Sequence, residues 1–198
     1  EWLDEICHLI LKEGLQYAPD FITVDSGDGG SGAAPMSLID HMGLPIKRSL
    51  PLVVDKLNEF NLRSRIKVIA SGKLINPADV AAALCLGADS VNSARGFMFA
   101  LGCIQALQCN KNTCPTGITT QDPDLQDGLD PLDKGTRVAN YARNMMKAVK
   151  MIAHACGVRH PRLLRRKHAQ MITEKGIPET LSNIYPDKAS VESGLDAR

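Results

Sequence analysis

The chain has 198 residues, 44% hydrophobic and 23% charged, with a formal net charge of +1. That is enough apolar material for the core of one domain, or of part of a larger one. The even charge balance gives no reason to expect nucleic acid or an anionic membrane as the main partner. No apolar run approaches the ~18 residues needed to cross a bilayer, and Glu1-Trp-Leu-Asp4 lacks both a signal-peptide pattern and an initiator methionine. A cytoplasmic segment of a longer protein is therefore expected.

In chain order, residues 2–13 carry apolar side chains at helical spacing, and Gly14 is a plausible stop. Phe21–Val24 reads as a short buried strand, followed by the glycine-rich loop Gly27–Gly32. Residues 36–42 suggest a short helix and Leu50–Asn61 a longer one. Ile66–Ala70 is a second strand. Asn76 then caps a helix with Pro77 in its first turn and Asp79 near the positive end of the dipole. That helix ends near Gly87, and Ser90–Ala94 reads as a third strand. Strand, helix and strand within ~30 residues make a βαβ unit, whose strands are parallel.

An irregular region over roughly 103–131 follows. A helix through Val138, Tyr141, Met145, Val149, Ile152 and Cys156 ends at Gly157, and residues 162–175 suggest one more helix. The last fifteen residues have little apolar content. Three parallel strands cannot close a barrel or cover both faces of a sheet, which again suggests part of a larger α/β domain.

Three loops invite a ligand. Gly27-x-Gly29-x-x-Gly32 matches a dinucleotide-binding pattern after a strand. Ala33-Ala34-Pro35 follows where a dinucleotide-binding helix should begin, so the favoured reading is a loop above the carboxyl end of a barrel strand where backbone amides approach an anion, with a plain turn as the alternative. Ser71-Gly72-Lys73 follows the second strand, and Ser93-Ala94-Arg95 follows the third. Small residues there let the backbone close on a phosphate, with Lys73 and Arg95 adding positive charge. Ordinary turns with solvated basic residues are the alternative.

Six cysteines are too sparse for a disulfide scaffold, so they read as reduced or metal-bound. Cys7, Cys85 and Cys156 fall on apolar helical sides, as small buried hydrophobes do. Cys103, Cys109 and Cys114 form a Cys-x5-Cys-x4-Cys-Pro run. It lacks the fourth ligand and Cys-x2-Cys pairs usual for zinc. Thiolates hold iron–sulfur clusters, and a Cys-Pro step ends the bacterial ferredoxin run. Iron–sulfur, zinc and no metal all remain open from spacing alone. The basic segment Arg159–His168 reads as a solvated helix face, with docking of an acidic electron-donor protein as the alternative.

Asp20–Pro35 resembles the "DGGTGA(S/A)P" loop of the flavin domain of glutamate synthase. Leu86–Asp89 ("LGAD") and Ala100–Leu125 ("ALGCIQALQCNKNTCPTGITTQDPDL") are similar to that family in the same order and at similar spacing. "SGKLINPADV" and "NSARGFMFALGCIQ" look most like its stand-alone FMN-binding members. The resemblance implies a (β/α)8 TIM barrel of the FMN-binding type, represented here by its last three strands. Residues 1–160 would be the barrel portion with a cluster loop over 100–125, and 161–198 a C-terminal helix and tail.

The resemblance also assigns roles. Cys103, Cys109 and Cys114 would bind a three-iron, four-sulfur (3Fe-4S) cluster. Asp28, Gly29, Gly30, Ser71, Gly72 and Lys73 would lie on the flavin side. Ser93, Ala94 and Arg95 would form the phosphate loop. The implied chemistry is reduction of the imine of 2-oxoglutarate to glutamate, with nitrogen from glutamine or ammonia. Electrons would come from a donor protein or an NAD(P)H-dependent subunit, and a homo-oligomer is possible. Asn110 stands where many relatives have histidine. The sequence contains no glutaminase domain or N-terminal cysteine nucleophile, so ammonia production is not assigned to it.

Overall fold

The computed structural model describes residues 1–28, 34, 37–39 and 41–186. Helix α1 spans Trp2–Glu13, with Asp4 and Glu5 in its first turn and Lys12 in its last, as the helix dipole favours. Leu3, Cys7 and Ile10 make its buried stripe at i, i+4 and i+7. The chain leaves through Gly14 at φ 113°, a conformation that costs glycine least.

Strand β1 is Phe21–Asp25, helix α2 Ile46–Glu59, strand β2 Lys67–Ser71, helix α3 Pro77–Cys85 and strand β3 Ser90–Asn92. The three strands form one parallel sheet in the order β1-β2-β3. Parallel neighbours require crossovers, and α2 and α3 supply them. Val68 and Ala70, on the central strand, are fully buried, and the core runs from them through Leu50, Leu57, Ile66 and Leu86.

Helix α2 begins four residues before the predicted Leu50 and contains Pro51. Proline has no amide to give the carbonyl four residues back. That carbonyl, on Lys47, instead accepts the Tyr185 hydroxyl at 3.0 Å. Helix α3 starts as predicted: the Asn76 side chain accepts the Asp79 amide at 2.9 Å, and Pro77 follows it.

Helix α4, Ala94–Leu101, was not expected. Strand β3 stops at Asn92 and the chain turns directly into that helix, which ends at Gly102 in the left-handed region. The predicted helix over 36–42 is not seen among the described residues: 37–39 form a turn, and Met36 and Asp40 lie outside them. After the short helix α5, Pro123–Gln126, comes α6, Pro131–Ala155. It begins earlier than the apolar periodicity suggested, because Asp130 accepts the Leu132 amide and Pro131 fits the first turn.

The helix predicted over 162–175 is absent. Two single 3-10 turns, Pro161–Leu163 and Arg166–His168, lead into β4, Gln170–Ile172, which pairs antiparallel with β5, Pro178–Thr180. Helix α7, Leu181–Ile184, follows. Burial explains the difference. Leu164 and Arg166 are buried while Arg165 and Lys167 are exposed, an alternation of period two that a helix cannot provide. Leu164 and Leu181 join the main core. Among the described residues no helix is long and apolar enough to cross a membrane. The tail from residue 187 lies outside them.

Candidate functional site

Strand register places the three candidate loops. Asp25 pairs with Ser71, and Ser71 pairs with Asn92. These residues end their strands, so the loops after β1, β2 and β3 leave the same carboxyl edge side by side. In open α/β sheets that edge is where ligands bind.

In the first loop the Ser26 hydroxyl donates to the Asp28 carboxylate at 3.1 Å. That carboxylate also accepts the amide of Ile46, the first residue of α2, where Pro45 brings no capping side chain. Asp28 thus secures the start of α2. Gly29 and Gly30 lie outside the described residues.

The second loop is tied to the first by the Ser26 amide, which donates to the Ser71 carbonyl at 3.0 Å. A Cβ on Gly72 would lie 2.1 Å from the Ser26 hydroxyl oxygen, so only glycine fits that approach. Lys73 adopts φ 44°, a conformation that is costly for a side-chain-bearing residue and is held by its surroundings. Asp28, Gly72 and Lys73 meet around a cavity of about 220 Å³, bounded also by Lys47 and Asp79. Ser71 and the Ser93–Arg95 loop do not line it.

In the third loop Ser93 is the N-cap of α4 but makes no capping hydrogen bond. Its hydroxyl instead lies 3.2 Å from the Tyr141 hydroxyl of α6, which donates to the Ile75 carbonyl at 2.7 Å. Helix-end amides without an intrahelical partner suit an oxyanion. Ala94 and Arg95 are the first two residues of that helix. The residues present at this edge fit a flavin phosphate.

The cysteine loop is built differently. Gln105, Leu107 and Asn112 all have positive φ, three of the five such non-glycine residues described. Asn112 pins two arms of the loop. Its carbonyl accepts the Thr120 hydroxyl at 2.7 Å, and its side-chain oxygen accepts the Gln121 amide at 2.6 Å. Cys114 is buried, with Sγ 3.4 Å from the Thr116 hydroxyl. Burial opposes ionisation of this thiol, but hydrogen bonds from the Thr116 hydroxyl and the Thr119 and Thr116 amides outweigh it and bring the pKa down to about 6.

Cys103 accepts the Gln105 amide at 3.5 Å. Cys109 lines a cavity of about 400 Å³ with Asn110, Asn112 and Thr119. The donor chemistry suits a soft metal, but the arrangement does not: among the described residues no three His, Cys, Asp or Glu side chains gather as a metal-holding group. Of the other cysteines, Cys7 and Cys85 are buried as expected, whereas Cys156 is only half-buried. Cys7 is fully buried, and burial, then the nearby Cys156, raises the Cys85 thiol to about 11.

The basic segment is not a solvated helix face. Arg166 is buried, ion-paired to Asp55 and bonded to the Tyr185 carbonyl at 2.7 Å. Arg165 donates to the Arg162 and Leu164 carbonyls, both at 2.8 Å. This segment meets the C-terminal end of α6, where the Cys156 thiol reaches the His168 carbonyl at 3.8 Å. The opposite end of α6 faces the start of the cysteine loop: a Cβ on Gly102 would lie 3.7 Å from the Arg137 guanidinium and 3.8 Å from the Lys134 ammonium. At 1.5 Å per residue α6 is about 37 Å long, so the basic segment stands far from the cysteines. Tyr141, Asn112 and Thr119 were missed as site residues; nothing local in the sequence distinguishes them.

Fold and site together define an α/β protein whose parallel strands present three ligand-ready loops at one edge. The chain belongs to the glutamate synthase family: residues 8–159 match the conserved region in glutamate synthase. It is 43% identical over 184 residues to a glutamate synthase large subunit-like protein, YerD, of Bacillus subtilis, covering 93% of this chain and 35% of that one. It is 39% identical over 146 residues to the archaeal glutamate synthase (NADPH) of Methanocaldococcus jannaschii, covering 74% and 29%. The chain thus spans about a third of the length of these relatives. A flavocytochrome b2 variant with benzoylformate superposes with TM-score 0.44 at 19% identity, over 96% of this chain and 41% of that one.

Proposed function

We propose that this chain forms the last three strands of an FMN-binding (β/α)8 barrel in a flavin-dependent oxidoreductase of the glutamate synthase type. The observation that carries the reading is the row Asp25–Ser71–Asn92, which sends three loops to one edge beside the uncapped start of α4. The exposed Leu15, Tyr17 and Phe21 offer apolar surface that a further barrel unit would cover.

Bound FMN would supply hydride-transfer chemistry for reducing the imine of 2-oxoglutarate and ammonia to glutamate. The chain's own residues bind and orient. The first-turn amides of α4 receive the phosphate, with Arg95 adding charge. Ser71, Gly72 and Lys73 hold the flavin side, with Asp28, Gly29 and Gly30 on the neighbouring loop. Cys103, Cys109 and Cys114 are the proposed ligands of a 3Fe-4S cluster, supported by their spacing and by the readily ionised Cys114. Glutamine or ammonia is the nitrogen source, and a donor protein or NAD(P)H-dependent subunit the electron source.

The test is the absorption spectrum and iron content of the purified, reconstituted full-length gene product. Flavin bands with about three iron atoms per chain, the stoichiometry such a cluster demands, are expected, and iron is lost in Cys109→Ser. A protein that takes up neither flavin nor iron overturns the proposal. A non-catalytic barrel segment is the second reading, favoured by the ungathered thiols; it predicts no iron and no paramagnetic signal after oxidation.

A further inference from the structure

We propose that Tyr141 is a positioning residue for the flavin phosphate, tying the loops after β2 and β3 into one rigid edge. The inference rests on the FMN reading above and names the device that holds the site in shape. Tyr141 lies on α6, outside every loop that the sequence marks as ligand-binding. Its hydroxyl reaches both loops at once: it donates to the Ile75 carbonyl at 2.7 Å and lies 3.2 Å from the Ser93 oxygen.

Three further observations show that this approach is built in. A Cβ on Gly96 would lie 1.9 Å from the Tyr141 hydroxyl and 2.6 Å from its ring, so glycine in the first turn of α4 is the space the ring occupies. Phe97 packs edge-on against the ring, with centroids 5.0 Å apart and planes at 83°. Ser93, the natural cap of α4, turns its hydroxyl to Tyr141 and makes no capping hydrogen bond. The same contact thus restrains the phosphate loop and diverts the side chain that would otherwise compete with a phosphate for the α4 amides.

The placement on α6 adds a second consequence. Arg137 lies one turn before Tyr141 on the same helix face, and Arg137 approaches Gly102, next to Cys103. One face of α6 therefore meets α4 at Gly96 and passes near the entrance of the cysteine loop at Gly102.

The test uses Tyr141→Phe in the full-length gene product, a change that keeps the ring and the Phe97 contact and removes only the hydroxyl. FMN affinity is measured by titration of the flavin-free protein, beside melting temperature and amide hydrogen exchange. The expected result is about tenfold weaker FMN binding, the effect of losing a hydrogen bond to a part-buried carbonyl. Exchange should quicken at Leu74–Ile75 and Ala94–Gly96 together. A merely structural tyrosine would lower the melting temperature with the affinity of the folded protein unchanged, and that result overturns the tie. If Tyr141→Phe does not fold, Phe97→Leu loosens the ring while keeping the hydroxyl. It should weaken FMN binding about threefold, and unchanged affinity overturns the tie. A gene product that binds no flavin at all overturns the FMN reading as well, so the two failures are separable.

Discussion

The sheet edge and the cysteine loop hold their candidate ligands by different physics. At the edge, backbone register does the placing: Asp25, Ser71 and Asn92 stand in one row because three parallel strands pair there. Glycines at 72 and 96 then allow close approach of side chains. The cysteine loop has no strand beneath it. It is held by left-handed residues and by the carbonyl and side chain of one asparagine. A scaffold made of ladder hydrogen bonds and core packing resists local change, whereas a loop pinned by a few side-chain bonds opens locally at low cost. In this conformation the edge brings its three loops side by side, whereas the three thiols do not gather.

The largest expected effect that separates the two regions is at Gly96. Gly96→Ala drives a methyl into Tyr141 and should destabilise the whole fold by about 1–3 kcal/mol, read from the urea midpoint. The cost should shrink in a Tyr141→Phe background, since the closest clashing atom is the hydroxyl. A fully additive double variant would break the claim that the edge is braced from α6.

Asn112→Ala should cost less, about 1 kcal/mol, and the loss should stay local. Amide exchange is expected to quicken over Cys109–Gln121 while β1, β2 and β3 keep their protection. Uniform quickening would show that the cysteine loop is not an independent unit.

A smaller effect is electrostatic. With a folded pKa of about 6 against an ordinary 9.0, the Cys114 thiol is depressed on folding. Its contribution to stability is therefore complete above pH 9 and lost as pH falls through 6. In metal-free protein, alkylation of Cys114 should rise through pH 6, and Thr116→Val should move that midpoint upward. A midpoint near 9 in the wild type would remove the claim that the loop favours the thiolate.

The smallest change is expected outside both regions. The Lys56 ammonium, hydrogen-bonded at 2.6 Å, holds the Asp4 carboxyl below its ordinary value of 3.8. That contribution is present above pH 3.8 and is lost as pH falls further. Lys56→Met should leave flavin binding and cysteine reactivity unchanged and flatten only the acid limb of stability. Movement of either site would blur the contrast between them.

Much of the frame was legible in the residues. Helix α1 and the three strands follow from apolar periodicity, and the start of α3 from Asn76-Pro77. The parallel order follows from the length of the crossovers, because those signals act within a few residues of where they are written. Family membership was legible too, in the loop strings and the cysteine spacing. Helix α4 was hidden because its short apolar run Phe97–Leu101 carries no period of its own. The segment after Pro161 was misread because burying Arg166 against Asp55 depends on a helix more than a hundred positions away.

The sequence by itself settled α1, the three strands of the parallel sheet, the start of α3 and the family, since propensity, capping and motif spacing are local properties of the chain. Only the tertiary structure decided that Tyr141 meets Ser93 and Ile75, that Asp28 serves α2, and that the cysteines stand ungathered. The first two depend on groups far apart in sequence, and the third on how a loop without regular structure folds; packing, not local preference, sets the distances in each.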